Sequence, residues 1–145
     1  MSQPLEPLIT QMDEGEEVPI GHSRFLLRAT SDRTGGAYTL IESSLGEIGD
    51  GPRLHRHTRE DETFIVLSGE YAFFVDDDVL TATPGAVVFA PRGRPHRFEV
   101  RQPGSRLLHL FIPGGIDDYF RRSHEAIEAG HLTELGAEFG IEFFD

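Results

Sequence analysis

Three histidines and a glutamate are spaced along the middle of the chain so that their side chains can meet: His55, His57, Glu62 and His96. Side chains alternate along an extended segment, so His55 and His57 project from the same face. Glu62 begins an apolar run, and His96 follows a turn rich in proline and glycine. Imidazole and carboxylate together suit first-row transition metals without selecting one of them. The four residues therefore predict a metal site.

Glycines and prolines around these residues complete two sequence motifs. The first motif consists of Gly49, His55, His57, Glu62 and Gly69, and the second of Gly85, Pro91, Gly93 and His96. With both motifs the chain resembles the cupin superfamily, in which the two histidines, the glutamate and the last histidine bind a metal. The resemblance implies one divalent first-row ion per chain, which could be iron, manganese, nickel, cobalt, copper or zinc. Val100 departs from the family pattern, because the second motif usually ends in asparagine.

Further segments are similar to the single-domain, quercetin-dioxygenase-like branch of the cupins. They are residues 29–38, 62–69, 113–116 and 139–143. This resemblance implies a dioxygenase that acts on a flavonol or another aromatic or enolic substrate. In such an enzyme Glu62 would be catalytic, because it would take the proton of the substrate, which requires a pKa tuned by the metal and by burial.

Short apolar runs separated by turn residues predict an all-β fold. The expected strands are residues 24–29, 37–45, 63–67, 71–75, 79–82, 86–89, 96–100 and 106–112. Their spacing favours an antiparallel jelly-roll barrel, the double-stranded β-helix of cupins. We expect a single domain with an extended segment at 1–20, the barrel at 21–113 and a helical segment at 114–145.

The period of the apolar residues changes after Pro113. Ile116, Tyr119, Phe120, Ser123 and Ile127 share one face of a predicted amphipathic helix. Gly130 fits the end of this helix, and Thr133 is expected to cap a shorter helix that stops at Gly140. The cupin resemblance implies that both helices pack on the barrel.

Composition limits the classes of function. The 145 residues include 13 arginines, no lysine and 25 acidic residues, so the net charge is −12. This charge argues against nucleic-acid binding, which needs a basic face. Cysteine is absent, so thiolate metal sites and disulfides are excluded. We expect a cytoplasmic protein without a secretory signal or membrane span, since the apolar runs fall far short of the ~20 residues that cross a bilayer. The cupin resemblance also implies a homodimer.

Candidate substrate contacts carry two interpretations each. Tyr38, Phe64 and Phe73 could form the wall of an apolar pocket or belong to the core. Arg53 shares the parity of the two strand histidines and could bind a carboxylate or enolate of the substrate, or it could point to solvent. His109 could shuttle protons or contact the substrate, or it could be a core histidine.

Four protein ligands leave one or two positions open on a five- or six-coordinate metal, which suits catalysis better than a closed structural site. Besides the dioxygenase, two alternatives remain. The first is a metal-dependent isomerase, cyclase or decarboxylase in natural-product metabolism, such as polyketide metabolism, with the metal as a Lewis acid. The second is a non-catalytic cupin that binds a small ligand. Glu60 and Asp61 are expected to be exposed, because only Glu62 has the motif spacing to Gly69.

Overall fold

A computed structural model describes residues 4–44 and 46–144, which form eleven strands and two helices. The elements are β1 Glu16–Ile20, β2 Ser23–Ala29, β3 Thr39–Ser44, β4 His55–His57, β5 Asp61–Ser68, β6 Tyr71–Val75, β7 Asp78–Ala82, β8 Val87–Ala90, β9 His96–Val100, β10 Arg106–Ile112, α1 Asp117–Ala129, α2 Leu132–Glu138 and β11 Ile141–Phe143.

The strands form two antiparallel sheets. The first sheet has the order β1-β2-β3-β10-β5-β8, and the second has the order β11-β4-β9-β6-β7. Several neighbours in these orders, such as β3 and β10 or β4 and β9, are far apart in sequence, as in a jelly roll whose strands cross repeatedly between sheets. The predicted jelly-roll barrel with carboxy-terminal helices is thus confirmed.

Alternation of side chains along the strands builds the barrel interior. In β5, Glu62, Phe64 and Val66 are buried, whereas the residues between them are only half-buried. Phe64 packs against Phe73 and Phe98 of the second sheet, with ring centroids 4.9 and 5.8 Å apart. Such offset aromatic pairs add packing energy to the large apolar area that each ring buries.

Three strands lie outside the predicted ranges: β1, β4 and β11. β4 coincides with the segment at His55 and His57 that was expected to be extended. Within the segment 1–20, β1 pairs with β2 and buries Val18. Near the carboxy terminus, β11 pairs with β4 and becomes the edge of the second sheet. The strand predicted at 37–45 is shorter, since β3 begins at Thr39. Its expected last residue, Leu45, lies outside the described residues, as do residues 1–3 and 145 of the terminal segments.

The helices follow the barrel. α1 buries Phe120 and ends at Gly130, which adopts a left-handed conformation with φ of 76°, as predicted. The expected cap at Thr133 is wrong, because α2 begins one residue earlier and its N-cap is His131. The Thr133 hydroxyl instead accepts a hydrogen bond of 3.2 Å from the Arg53 guanidinium.

Within the described residues, no helix is both long and apolar enough to span a membrane.

Candidate metal centre

The four predicted ligands come together between the two sheets. β4 and β9 of the second sheet carry the histidines, and His55 stands directly opposite His96 in their register. Glu62 reaches the same point from β5 of the first sheet. Potential ligand atoms of His55, His57, Glu62 and His96 all lie within 4.8 Å of one another, and all four residues are buried.

Backbone carbonyls fix the rings of two histidines. The Nδ1 atom of His55 lies 2.7 Å from the carbonyl oxygen of Arg53, and Nδ1 of His96 lies 3.2 Å from that of Arg94. A carbonyl oxygen can only accept, so each Nδ1 carries a proton and each Nε2 is directed toward the cluster. Nε2 of His96 lies 3.0 Å from Oε1 of Glu62. A metal would bind these rings through the inward Nε2 atoms.

His57 faces a carboxylate in place of a carbonyl. Its Nε2 lies 3.3 Å from Oε1 of Glu62, and its Nδ1 lies 3.4 Å from Oε1 of Glu60. The expectation that Glu60 is exposed is wrong, because the loop after β4 turns back and leaves this side chain only 4% exposed. Asp61 is half-buried, and its carboxylate accepts a hydrogen bond of 2.8 Å from the backbone N–H of Arg92.

A hydrogen-bonded chain runs from Glu62 across the first sheet. Oε2 of Glu62 lies 3.1 Å from Nδ1 of His109, and Nε2 of His109 lies 2.8 Å from the hydroxyl of Ser43. The three residues come from adjacent strands β5, β10 and β3, where they are diagonal neighbours on the inner face. Sequence reasoning missed Ser43; its parity with Ile41 on an apolar strand was the available signal.

The surroundings of His55 and His57 shift the pKa values of these two histidines in opposite directions. Burial, followed by the neighbouring histidines, lowers the pKa of His55 to about 3. Burial also disfavours the charged form of His57, but contacts with Glu60 and Glu62 outweigh it and raise its pKa to about 9. Burial would raise the pKa of Glu62, yet the contacts with His109, His57 and His96 hold it well below its usual range. The cluster thus keeps an ionised carboxylate and at least one neutral imidazole near neutral pH.

The donor set fits a first-row divalent metal. Three imidazole nitrogens and one carboxylate oxygen form a borderline set. The four donor groups are buried and converge within 4.8 Å of one another, so a bound ion could satisfy them together. The cluster of His55, His57, Glu62 and His96 could therefore bind a metal ion.

His55, His57, Glu62 and His96 line a cavity of about 470 Å³. Its wall is mainly apolar and includes eight aromatic residues: Phe25, Phe64, Tyr71, Phe98, Phe111, Tyr119, Phe120 and Phe143. Ser23, Ser43, Ser44 and Asp50 supply polar groups. A mainly apolar wall with a few convergent polar groups is typical of sites for small organic molecules.

The predicted substrate contacts divide into two groups. Phe64, His109 and Arg53 line the cavity, and the Arg53 guanidinium lies 4.4 Å above the Phe143 ring. Phe73 is fully buried behind Phe64, so it belongs to the core and not to the cavity wall. Tyr38 is also absent from the wall, because it precedes β3 in a surface loop and is 37% exposed.

Val100, which stands where the family usually has asparagine, is hydrogen-bonded through both of its backbone polar groups. Its backbone N–H donates to the carbonyl oxygen of Asp50 at 2.9 Å, and its carbonyl oxygen accepts from the N–H of Gly49 at 2.8 Å. The side chain is buried in the core. Backbone contacts therefore hold the first motif against β9 at this position.

Comparisons with known proteins agree with this geometry. No curated protein matches the chain in sequence. KdgF from Halomonas sp. shares the fold with a TM-score of 0.68 and 17% identity, covering 78% of this chain and 98% of that chain. An RmlC-like cupin from Shewanella frigidimarina gives 0.64 and 19%, covering 81% and 96%. A nucleoside dehydratase has a TM-score of 0.62 and 14% identity, covering 78% of this chain and 88% of that chain. The Streptomyces protein has also been solved with uridine.

At these identities the structural likeness shows the fold alone. The sequence adds a match to the cupin domain over residues 46–113, which contain all four candidate ligands. Residues 46–113 are thus similar in sequence to the cupin domain, and the fold is similar to those of cupin structures.

Proposed function

We propose that the protein is a metal-dependent enzyme that acts on a small organic molecule. The observation that carries this proposal is the position of four buried ligand groups at the floor of a mainly apolar cavity. A structural site would be closed by its own ligands, whereas these groups face a space large enough for a substrate. The nucleoside dehydratase is a cupin-fold neighbour with an enzyme activity.

We propose a dioxygenase reaction on a flavonol or another aromatic or enolic substrate, as the resemblance to the quercetin-dioxygenase-like branch implies. The aromatic wall supports a planar substrate, because stacked and edge-on ring contacts favour such molecules. Arg53 lies at the same cavity and could receive a substrate oxygen that carries negative charge.

The roles of the residues follow from their positions. His55, His57, Glu62 and His96 would hold the metal, which when bound supplies a Lewis acid for the substrate oxygen and, if redox-active, access to dioxygen chemistry. Glu62 would take the proton of the substrate hydroxyl, leaving an enolate oxygen. His109 binds the other carboxylate oxygen of Glu62 and thereby orients it. The apolar wall excludes water, which strengthens these polar contacts.

A metal-dependent isomerase, cyclase or decarboxylase is the second candidate. The chain from Ser43 through His109 to Glu62 favours it, because two proton-carrying groups on one wall can remove and return a proton without an oxidant. Turnover with and without dioxygen distinguishes the two reactions. Equal rates of the metal-loaded protein under strict anaerobiosis would eliminate the dioxygenase.

A non-catalytic binding protein is tested by Glu62→Gln in protein that retains its metal. An enzyme should lose most of its turnover, whereas a binding protein should keep most of its affinity for the ligand. The homodimer and the cytoplasmic location stay predictions, and sedimentation of the purified protein tests the first of them.

A further inference from the structure

Glu60 is a buried carboxylate beside the metal centre that the cupin motif does not include. Only 4% of the residue is exposed, and its Oε1 lies 3.4 Å from Nδ1 of His57, which is itself buried. Neither atom has a regular hydrogen-bond partner. A buried carboxylate oxygen left in this state is costly unless a donor approaches it.

The three histidines therefore differ in the group that contacts their Nδ1 atom. Backbone carbonyls accept from Nδ1 of His55 and His96 at 2.7 and 3.2 Å. Nδ1 of His57 instead lies 3.4 Å from Oε1 of the Glu60 carboxylate. A carboxylate is the stronger acceptor, since hydrogen bonds to an ionised group are about twice as strong as neutral ones.

The negative charge of the Glu60 carboxylate would also compensate the charge of a bound divalent ion. A divalent ion bound by Glu62 and three neutral imidazoles would leave one net positive charge in a buried site. The carboxylate of Glu60 would bring that sum to zero. Burial of an uncompensated charge is expensive, so a second carboxylate next to the ligand shell favours the bound state of the metal.

We propose that Glu60 is a positioning residue of the metal centre, which accepts the Nδ1 proton of His57 and compensates the charge of a bound divalent ion. The proposal rests on the metal site of the proposed function. It makes His57 the most strongly donating of the three imidazoles, because a carboxylate partner increases the basicity of a ligand histidine.

The experiment measures Zn²⁺ affinity by competition with a chelator for the wild type, Glu60→Gln and Asp61→Asn. Asp61→Asn is the matched control, because it removes one negative charge from the adjacent residue, whose carboxylate binds Arg92 and not His57. We expect Glu60→Gln to weaken Zn²⁺ binding by about 10- to 100-fold. Asp61→Asn should change it by less than about threefold, as a half-exposed charge contributes little.

A second readout separates positioning from a general loss of structure. In Zn²⁺-loaded protein with ¹⁵N-labelled histidine, the Nδ1–H groups of His55, His57 and His96 should give separate resonances. Glu60→Gln should shift the resonance of His57 alone, and Asp61→Asn should shift none of the three. If Glu60→Gln does not fold, Glu60→Asp keeps the charge at shorter reach and should bind Zn²⁺ with an affinity below that of the wild type.

The outcomes distinguish this proposal from the proposed function. Wild-type protein that binds Zn²⁺ while Glu60→Gln binds equally tightly, with the His57 resonance unmoved, would overturn the role of Glu60 and leave the metal site intact. Wild-type protein that binds no Zn²⁺ would overturn both. Weaker binding with a selective shift of His57 would support the proposal.

Discussion

The contact between Ser43 and His109 predicts a measurable coupling between two positions that are far apart in the sequence. Their side chains are 5% and 3% exposed, and the hydroxyl lies 2.8 Å from Nε2 of the imidazole. Ser43→Ala removes this hydrogen bond and leaves a buried ring nitrogen without a partner. The cost should be about 1–3 kcal/mol of the free energy of unfolding, the range for an unsatisfied buried group.

His109→Leu has a larger effect, since it also removes the contact of 3.1 Å with Glu62. Once His109 is gone, the Ser43 hydroxyl has already lost this partner, so adding Ser43→Ala should cost little more. The double-mutant cycle should therefore give a coupling energy of about 1–2 kcal/mol, within the range for residues in direct contact.

Urea unfolding of the metal-free protein measures all four corners of the cycle. Ser123→Ala is a matched control, because its buried hydroxyl donates to the Tyr119 carbonyl oxygen at 2.6 Å. Its effect should add to that of His109→Leu. If the effects of Ser43→Ala and His109→Leu also add to within about 0.3 kcal/mol, the proposed hydrogen-bonded chain does not exist in solution.

Three other perturbations test separate parts of the structure. Gly140→Ala should destabilise the protein more than Gly130→Ala. Both glycines have positive φ, but a Cβ at Gly140 would lie 2.6 Å from the Thr58 hydroxyl, whereas a Cβ at Gly130 would meet open space. Equal losses of stability in thermal unfolding would contradict this prediction. The paired Arg121 guanidinium lowers the pKa of Glu16, so this contact stabilises the fold above about pH 4.5 and loses that effect as the pH falls. Arg121→Met should cost less than about 1 kcal/mol near pH 6 and progressively less as the pH is lowered below about 4.5. A loss in urea unfolding that does not change with pH would refute the assignment. Hydrogen exchange in α2 and β11 should slow when a flavonol fills the cavity that they help to line, and unchanged exchange would argue that these elements do not close over the site.

The candidate metal ligands could be predicted to lie together because local spacing places their side chains. His55 and His57 are two residues apart on a strand, so alternation alone places both on one face. His96 follows a turn and opens β9, where the register sets it opposite His55. The motif spacing identified Glu62 among three adjacent acidic residues, and it is the one that reaches the cluster.

The residues that the sequence did not reveal depend on the path of the backbone. Glu60 lies in a loop that reverses after β4, so the parity of an extended strand gives no information about its side chain. Ser43 reaches His109 only because β3 and β10 are neighbours in the first sheet, although 66 positions separate the two residues. Tyr38 was a candidate for the pocket wall or the core because of its aromatic type, but type alone does not distinguish either position from a loop at the surface.

The short strands at both ends were also beyond the sequence patterns. β11 has three residues, too few for a clear period of two. It is held by its pairing with β4 and by two hydrogen bonds that the Arg56 guanidinium donates to Oε2 of Glu142. β1 has two exposed glutamates and a proline, which resemble a loop. Pairing with β2 outweighs these weak local preferences.

Metal stoichiometry tests directly whether His55, His57, Glu62 and His96 bind a metal ion. Untagged protein, dialysed free of chelator and reconstituted with each candidate metal, is compared with His55→Ala and with His124→Ala. His124 is a surface residue that pairs with Glu128 on α1, so it serves as the matched control. We expect about one equivalent of a first-row metal per chain in the wild type and in His124→Ala, and a large loss of bound metal in His55→Ala. No bound metal in the wild type, or undiminished metal in His55→Ala, would contradict it.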